Sequence, residues 1–305
     1  ALFRSLTKEH LDLIKSQNYL LVIDEVLSVY TEYLELKNEL PKLLENKIMF
    51  LDTDGVTLRW NRTLCCDLER YETEINLCDS GSLLLLDNKV LLWEMSPEIL
   101  SCFKQIKMAT YLFDGSYMCG FLKYHGFTYT TETFGKKGKD FKSLIQIVND
   151  DKLNKIGDRI TALSSSSQVN NRTYNDQLKK NLVNLFNHKH KVPKEERLWC
   201  CYKGAFNSIK GFGYTKNFLA VGTKATNNYA HTSVVAFTVN LFANPIIARH
   251  LQTKGITIDE NKLALGEMIQ WLYRSRIRKD ESIVAYIPSR RMRELLIDWL
   301  NGKYD

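Results

Sequence analysis

No run of about 18 consecutive apolar residues occurs in the 305-residue sequence, so no membrane-spanning helix is expected. A secretory signal is missing as well. None of the seven cysteines belongs to a CxxC pair, the count is odd, and two pairs are adjacent, Cys65 with Cys66 and Cys200 with Cys201. That pattern excludes a disulfide framework and a zinc ribbon, and a reducing cytoplasm suits it best. His188 and His190 stand two apart among lysines, but no acid or cysteine completes a metal-binding set. The phosphate-binding pattern GxxxxGK[ST] occurs nowhere; the basic stretch Gly135–Asp140 lacks its spacing and reads as a solvated turn. There is no short internal repeat and no low-complexity tail.

What is present is an ordinary globular composition, 44% hydrophobic and 25% charged, with a net charge of +7 that favours polyanionic partners. Length alone suggests two domains or one large one. The sequence starts on Ala1, and ALFRSLTKEH reads like the interior of a protein, so a piece of a longer polypeptide is expected.

Periodicity predicts a helix over Thr7–Lys15 capped by Thr7, then a strand over Tyr19–Ile23. That strand is apolar without alternation, which suits the interior of a parallel sheet. Asp24 and Glu25 follow, and EVLSVYTEYLEL reads as a helix. Residues 48–98 change to short alternating runs with a hairpin at Asp87, Asn88 and Lys89, a β-rich insertion. Ser96 caps a helix to Ile106, and Lys107–Gly115 returns to a buried strand. The polar stretch from Ser164 marks the expected divide, giving domains 1–160 and 161–305. DRITALS, just before that polar stretch, and LWCCYK and FLAVGTKATNN, after it, read as strands. Asp176–Phe186, Gly204–Lys210 and SVVAFTVNLF through Leu251, broken at Pro245, read as helices. IVAYIPS closes as a strand and SRRMRELLIDWL as an amphipathic helix. The fold class expected is α/β.

Three features carry chemistry. A strand that ends in Asp24 and Glu25 places carboxylates at the rim where open α/β sheets bind ligands. There Asp24 can hold magnesium through water and Glu25 can orient an attacking water; alternatively both merely start the next helix. Next, helical spacing of four aligns Gln270, Arg274 and Arg278 on one stripe without an acid beside them, so the stripe expects an anion. Finally, Val221–His231 ends a strand in Gly222, Thr223, Lys224, Thr226 and Asn227, groups suited to phosphate contacts.

Together these stretches resemble the superfamily 2 helicases, more closely the divergent helicase-like proteins of bacterial viruses. LVIDEVL resembles the acidic Walker B motif, MATYLFDG the coupling strand, AVGTKATNNYAH the fifth motif and QWLYRSRIR the sixth, while IVAYIPSRRMRELLIDWL is similar to the viral subgroup. The resemblance implies the remainder of a first RecA-like domain, carrying the insertion, and a complete second one. It implies ATP and Mg2+ as cofactors, DNA and other replication proteins as partners, and a host cytoplasm as location. By it Asp24 matches the magnesium-binding acid, Glu25 the catalytic one, Gln270 the nucleotide-sensing glutamine, and Arg274 and Arg278 the arginines facing the transferred phosphate. Thr223, Lys224, Thr226, Asn227, Arg290 and Arg291 are the nucleic-acid candidates. The match departs at Tyr273, where glycine is usual, and at Arg278, one residue late, so Arg276 competes with it. With no phosphate loop, the 305 residues alone are expected to hydrolyse ATP poorly. The rival readings are a nucleic-acid-binding module without turnover, stacking bases on Trp271 and Tyr273, and a metal-dependent nuclease built on Asp24, Glu25 and Asp114.

Overall fold

The computed structural model describes residues 3, 6–64, 67–132, 140–223 and 226–304. The chain is mixed α/β and divides into two units, Ala1–Tyr129 with Asn244–Asp259, and Thr130–Ala243 with Glu260–Asp305. The first break therefore falls at 129 and 130 instead of 160 and 161, and a later segment returns to the first unit.

In the first unit, the helix Lys8–Ser16 starts where Thr7 predicts, and the Thr7 N–H donates to His10 Nδ1 at 3.1 Å. β1 (Leu20–Asp24) pairs in parallel with β7 (Gln105–Ala109) and, among the described residues, with no other strand. The pair is not the interior of a wide sheet. Leu20 is 51% and Val22 65% exposed, and only Ile23 is buried, because no layer covers the outer face. The expected helix after Glu25 does not form. Glu25 adopts φ +71°, and Tyr30–Glu32 extend as β2 against the strand that ends in Glu94. Tyr and β-branched residues favour that extended state once a partner is available. β3 (Met49–Leu51) and β4 (Leu58–Trp60) form a hairpin, and β5 (Leu83–Leu86) and β6 (Val90–Glu94) another, so the β-rich insertion is present. Asp87 and Asn88, both at φ +53°, turn the second hairpin, a conformation that Asp and Asn tolerate well. The Ser96-capped helix is short, Pro97–Ser101, and β7 ends before Asp114 and Gly115.

The helices Tyr117–Tyr124 and Pro245–Gln252 pack closely at Gly120, where a Cβ would stand 2.8 Å from Leu251 Cδ1. Beside them lies a buried ion pair. Glu94 Oε1 is 3.0 Å from His125 Nε2, and Oε2 is 3.5 Å from His250 Nε2. Burial opposes the Glu94 charge, but the two imidazoles more than offset it and hold the carboxyl below its ordinary range. Burial and the Glu94 charge together push the neighbouring Tyr30 phenol up.

The second unit is built on one parallel sheet, β8 (Ile145–Ile147), β9 (Arg197–Cys200), β10 (Val234–Phe237) and β11 (Ile283–Tyr286), in the order β8-β11-β10-β9. β10 overturns the helix expected over SVVAFTVNLF. Its four residues are all buried, and a run rich in β-branched side chains suits a strand covered on both faces. Pro245 begins a helix instead of breaking one, with Asn244 Oδ1 accepting from the Ile246 N–H at 2.9 Å. DRITALS is turn, and the described residues of FLAVGTKATNN contribute a single bridge from Phe218 to Trp199. The helix Arg172–Val183 continues as a π-helical turn over Asn184–Lys189. The helices Glu260–Leu272 and Arg290–Leu300 complete the layer, the latter capped by Ser289 as its sequence indicates.

Candidate functional site

The arginine stripe is not a continuous helical stripe. The helix ends at Leu272, two residues past Gln270, and Arg276–Lys279 form a 3-10 turn closed by Asp280 at φ +63°. Packing decides this: the Arg276 N–H donates to Thr232 O at 3.2 Å, and Ser275, fully buried, turns its hydroxyl back to Leu272 O. The half-buried Gln270 therefore lies on the helix and the arginines on the turn that leads into β11.

That turn meets the loop leading into β10. Arg274 Nη1 donates to Thr226 O at 3.4 Å, and Arg278 Nη1 donates to Asn227 Oδ1. Both segments precede strands of the parallel sheet, so the cluster stands at its amino edge. Thr226, Asn227, Arg274 and Arg278 are brought together there. Thr223 is exposed and turned back onto Ala220 O, and Lys224 lies outside the described residues. Arg276 is committed internally, with Nε donating to Ser282 O at 2.5 Å and Nη1 3.9 Å from Glu196.

The remaining nucleic-acid candidates stand at the opposite, carboxyl edge. Arg291 is engaged by Asn240 Oδ1 at 3.1 Å, Leu241 O at 2.5 Å and Asn261 Oδ1 at 2.9 Å, with its guanidinium 4.6 Å from the Phe242 ring centre. Burial lowers its pKa, partly countered by Glu260. Arg290 is exposed and pairs with Glu294 one turn on. Asn240 in turn donates to Ile160 O at 2.8 Å and Ala162 O at 3.0 Å, and Gln168 donates to Thr238 O at 2.6 Å while accepting from the Tyr202 N–H at 3.0 Å. The crevice where open α/β sheets usually take ligands is filled by the protein's own polar groups.

Asp24 and Glu25 belong to the first unit. They close the carboxyl end of β1, with Asp24 exposed opposite Ala109 and the Glu25 N–H donating to Ala109 O at 2.9 Å. Among the described residues no three His, Cys, Asp or Glu side chains gather for a metal, which removes the cluster a nuclease on Asp24, Glu25 and Asp114 would need. Trp271 and Tyr273 are not exposed platforms. Trp271 is 4% exposed, packed on Phe237 with its indole N–H donating to Leu219 O, and Tyr273 is half-buried. The aromatic ring that does stand in solvent near this edge is Phe212, at 80% exposure, which the motifs gave no reason to single out.

A family model described as the YonV C-terminal Rossmann-like domain matches residues 139–300. The chain is similar to the SPbeta prophage-derived protein YonV of Bacillus subtilis (strain 168), with 34% identity over 325 aligned positions that cover 99% of this chain and 78% of the relative. No solved structure matches the chain. Among the described residues no helix is long and apolar enough to cross a membrane.

Proposed function

This chain belongs to the YonV family, and we propose that it forms part of an ATP-dependent DNA translocase of the superfamily 2 helicase kind. The observation that carries the reading is the pairing of Arg274 with Thr226 and of Arg278 with Asn227, across 48 and 51 residues of sequence. Two stretches singled out for separate reasons meet at one place, and their contacts hold two guanidinium groups in fixed directions before any anion arrives. Preorganised donors of that kind stabilise charge developing on a transferred phosphate.

The fit to Mg-ATP is partial. Magnesium beside a triphosphate needs only one or two protein carboxylates, and Asp24, exposed at a strand end, suits that demand. Glu25, whose left-handed backbone turns it out of the strand line, would accept the proton of the attacking water. The cradle for the β- and γ-phosphates is not among these 305 residues, which contain no GxxxxGK[ST]. Bound Mg-ATP would supply the anhydride cleavage that drives movement along DNA. Arg274 and Arg278 would supply positive charge, and Gln270 a hydrogen-bonding amide.

Magnesium-dependent ATP hydrolysis, with and without single-stranded DNA, tests the reading on the polypeptide of the complete reading frame. Glu25→Gln and Arg274→Ala should each lower kcat by about a hundredfold or more. Hydrolysis untouched by both substitutions would overturn it. The second reading is a DNA-binding module without turnover, whose affinity for DNA would ignore nucleotide altogether.

A further inference from the structure

We propose that Phe212 is a stacking platform for an unpaired base, so that single-stranded nucleic acid runs along the amino edge of the second unit's sheet. The proposal rests on the nucleic-acid part of the reading above and gives it a location.

An apolar ring at 80% exposure forgoes the stabilisation of burial, and this one is held out by a built support. Its loop, Gly211-Phe212-Gly213, is fixed from below. Arg197, buried at the first position of β9, donates through Nη1 to Gly213 O at 2.9 Å and to Asn187 Oδ1 at 2.6 Å, and through Nη2 to Val192 O at 2.6 Å. Asn187 Nδ2 donates to Phe212 O at 3.2 Å. Thr215 Oγ1 donates to Gly211 O at 2.7 Å, and Asn217 Nδ2 ties the following residues to Lys194 O and Glu195 O.

The two glycines are required by this arrangement. Gly213 sits at φ +90°, and a Cβ there would stand 2.8 Å from both Arg197 Nη1 and Asn187 Oδ1. At Gly211 a Cβ would stand 2.6 Å from the hydroxyl of Tyr214, a buried residue wedged against Trp199 and Phe186. A loop this well anchored has every means to tuck its ring inward and instead presents it to solvent.

The surroundings say what the ring meets. Lys194 Nζ lies 5.4 Å from the Phe212 ring centre, Lys210 and Lys216 flank the loop in sequence, and Lys191 precedes the segment that Arg197 clamps. Of the local acids, Glu196 is committed to Ser233 Oγ at 2.6 Å and to Arg276, which leaves Glu195 against these lysines. The Glu196–Arg276 contact also joins this surface to the turn that carries Arg274 and Arg278. A flat apolar face with the Lys194 ammonium beside it and further lysines in the flanking sequence fits a base with its phosphates, since every base offers a π-face and every linkage a charge. Duplex DNA hides its bases in the stack and has nothing to lay on the ring.

Fluorescence anisotropy with a labelled oligo-dT and a labelled duplex of equal length is the test, with thermal midpoints confirming that each variant is folded. Phe212→Ala should weaken oligo-dT binding about tenfold and leave duplex binding unchanged. Phe212→Trp should restore affinity, with emission quenched on binding beyond that of the native protein. Lys194→Ala with Lys210→Ala should weaken both ligands and flatten the salt dependence by about 0.7 per lost contact on the single strand. If the native chain binds oligo-dT and Phe212→Ala binds it equally well, or loses both ligands equally, the platform is wrong and the DNA reading stands. If the native chain binds neither oligonucleotide at low salt, both fail and the ring serves another partner.

Discussion

At the carboxyl ends of the second unit's strands, Gln168, Asn240 and Arg291 spend their hydrogen bonds on the protein's own backbone and side chains. At the amino ends, Arg278 and Phe212 stand in solvent. The contrast runs against the usual habit of parallel α/β sheets, whose ligands sit beyond the carboxyl ends. It teaches that one sheet can divide its polar groups unequally between its two edges. A buried and mutually satisfied network rigidifies the edge that carries it, while an anchored ring and guanidinium at the other stay exposed.

Substitutions at the two edges should therefore fail in different ways. The largest loss is expected at Gly157, where a Cβ would fall 1.9 Å from Pro288 O. Gly157→Ala should cost about 3 kcal/mol or more in urea unfolding, since backbone on both sides must move. Asn240→Ala orphans two carbonyls and part of a guanidinium, and should cost about 2 kcal/mol in the same measurement. If either variant unfolds at the native midpoint, the carboxyl edge is not the structural one. Arg278→Ala should change stability by less than about 0.5 kcal/mol while weakening anion binding, the opposite signature.

The first unit sharpens the contrast between neutral and ionised burial. Because Glu94 is held below its ordinary value of 4.5, its charge contributes stability that is present above that pH and lost as pH falls through the lowered value. The difference in unfolding free energy between the native chain and Glu94→Gln should shrink as pH falls below 4.5. Asn240→Ala, with no titrating group, should show a deficit independent of pH over the same range. A Glu94→Gln difference that does not move with pH would remove the ion pair from the stability of that unit.

Much of this was legible in the sequence wherever local chemistry fixes local structure. Thr7 and Ser96-Pro97 start helices, and Asp87 and Asn88 turn a hairpin, because caps and turns depend on a few adjacent residues. SVVAFTVNLF was misread because a short apolar run has no period that separates a buried strand from a buried helix. The stripe was misread because the helix end at Leu272 is set from outside, by Thr232 and the buried Ser275. The meeting of Arg278 with Asn227 spans 51 residues of sequence, and neither spacing nor the motifs stated it. Phe212 carried a signal that went unused: an aromatic between two glycines, with Lys210 before and Lys216 after. Nothing in periodicity marks such a ring, since its exposure depends on Arg197 gripping the loop from β9.

The return of Asn244–Asp259 to the first unit has a consequence for biosynthesis. His250 faces Glu94, and Leu251, fully buried, belongs to that unit's core. The ribosome, however, makes both only after residues 130–243 of the other unit. The first-made unit must wait, its Glu94 facing His125 alone and its core short of Leu251, until the Pro245–Gln252 helix leaves the exit tunnel, so nascent chains stalled before that point should be the most demanding of chaperones.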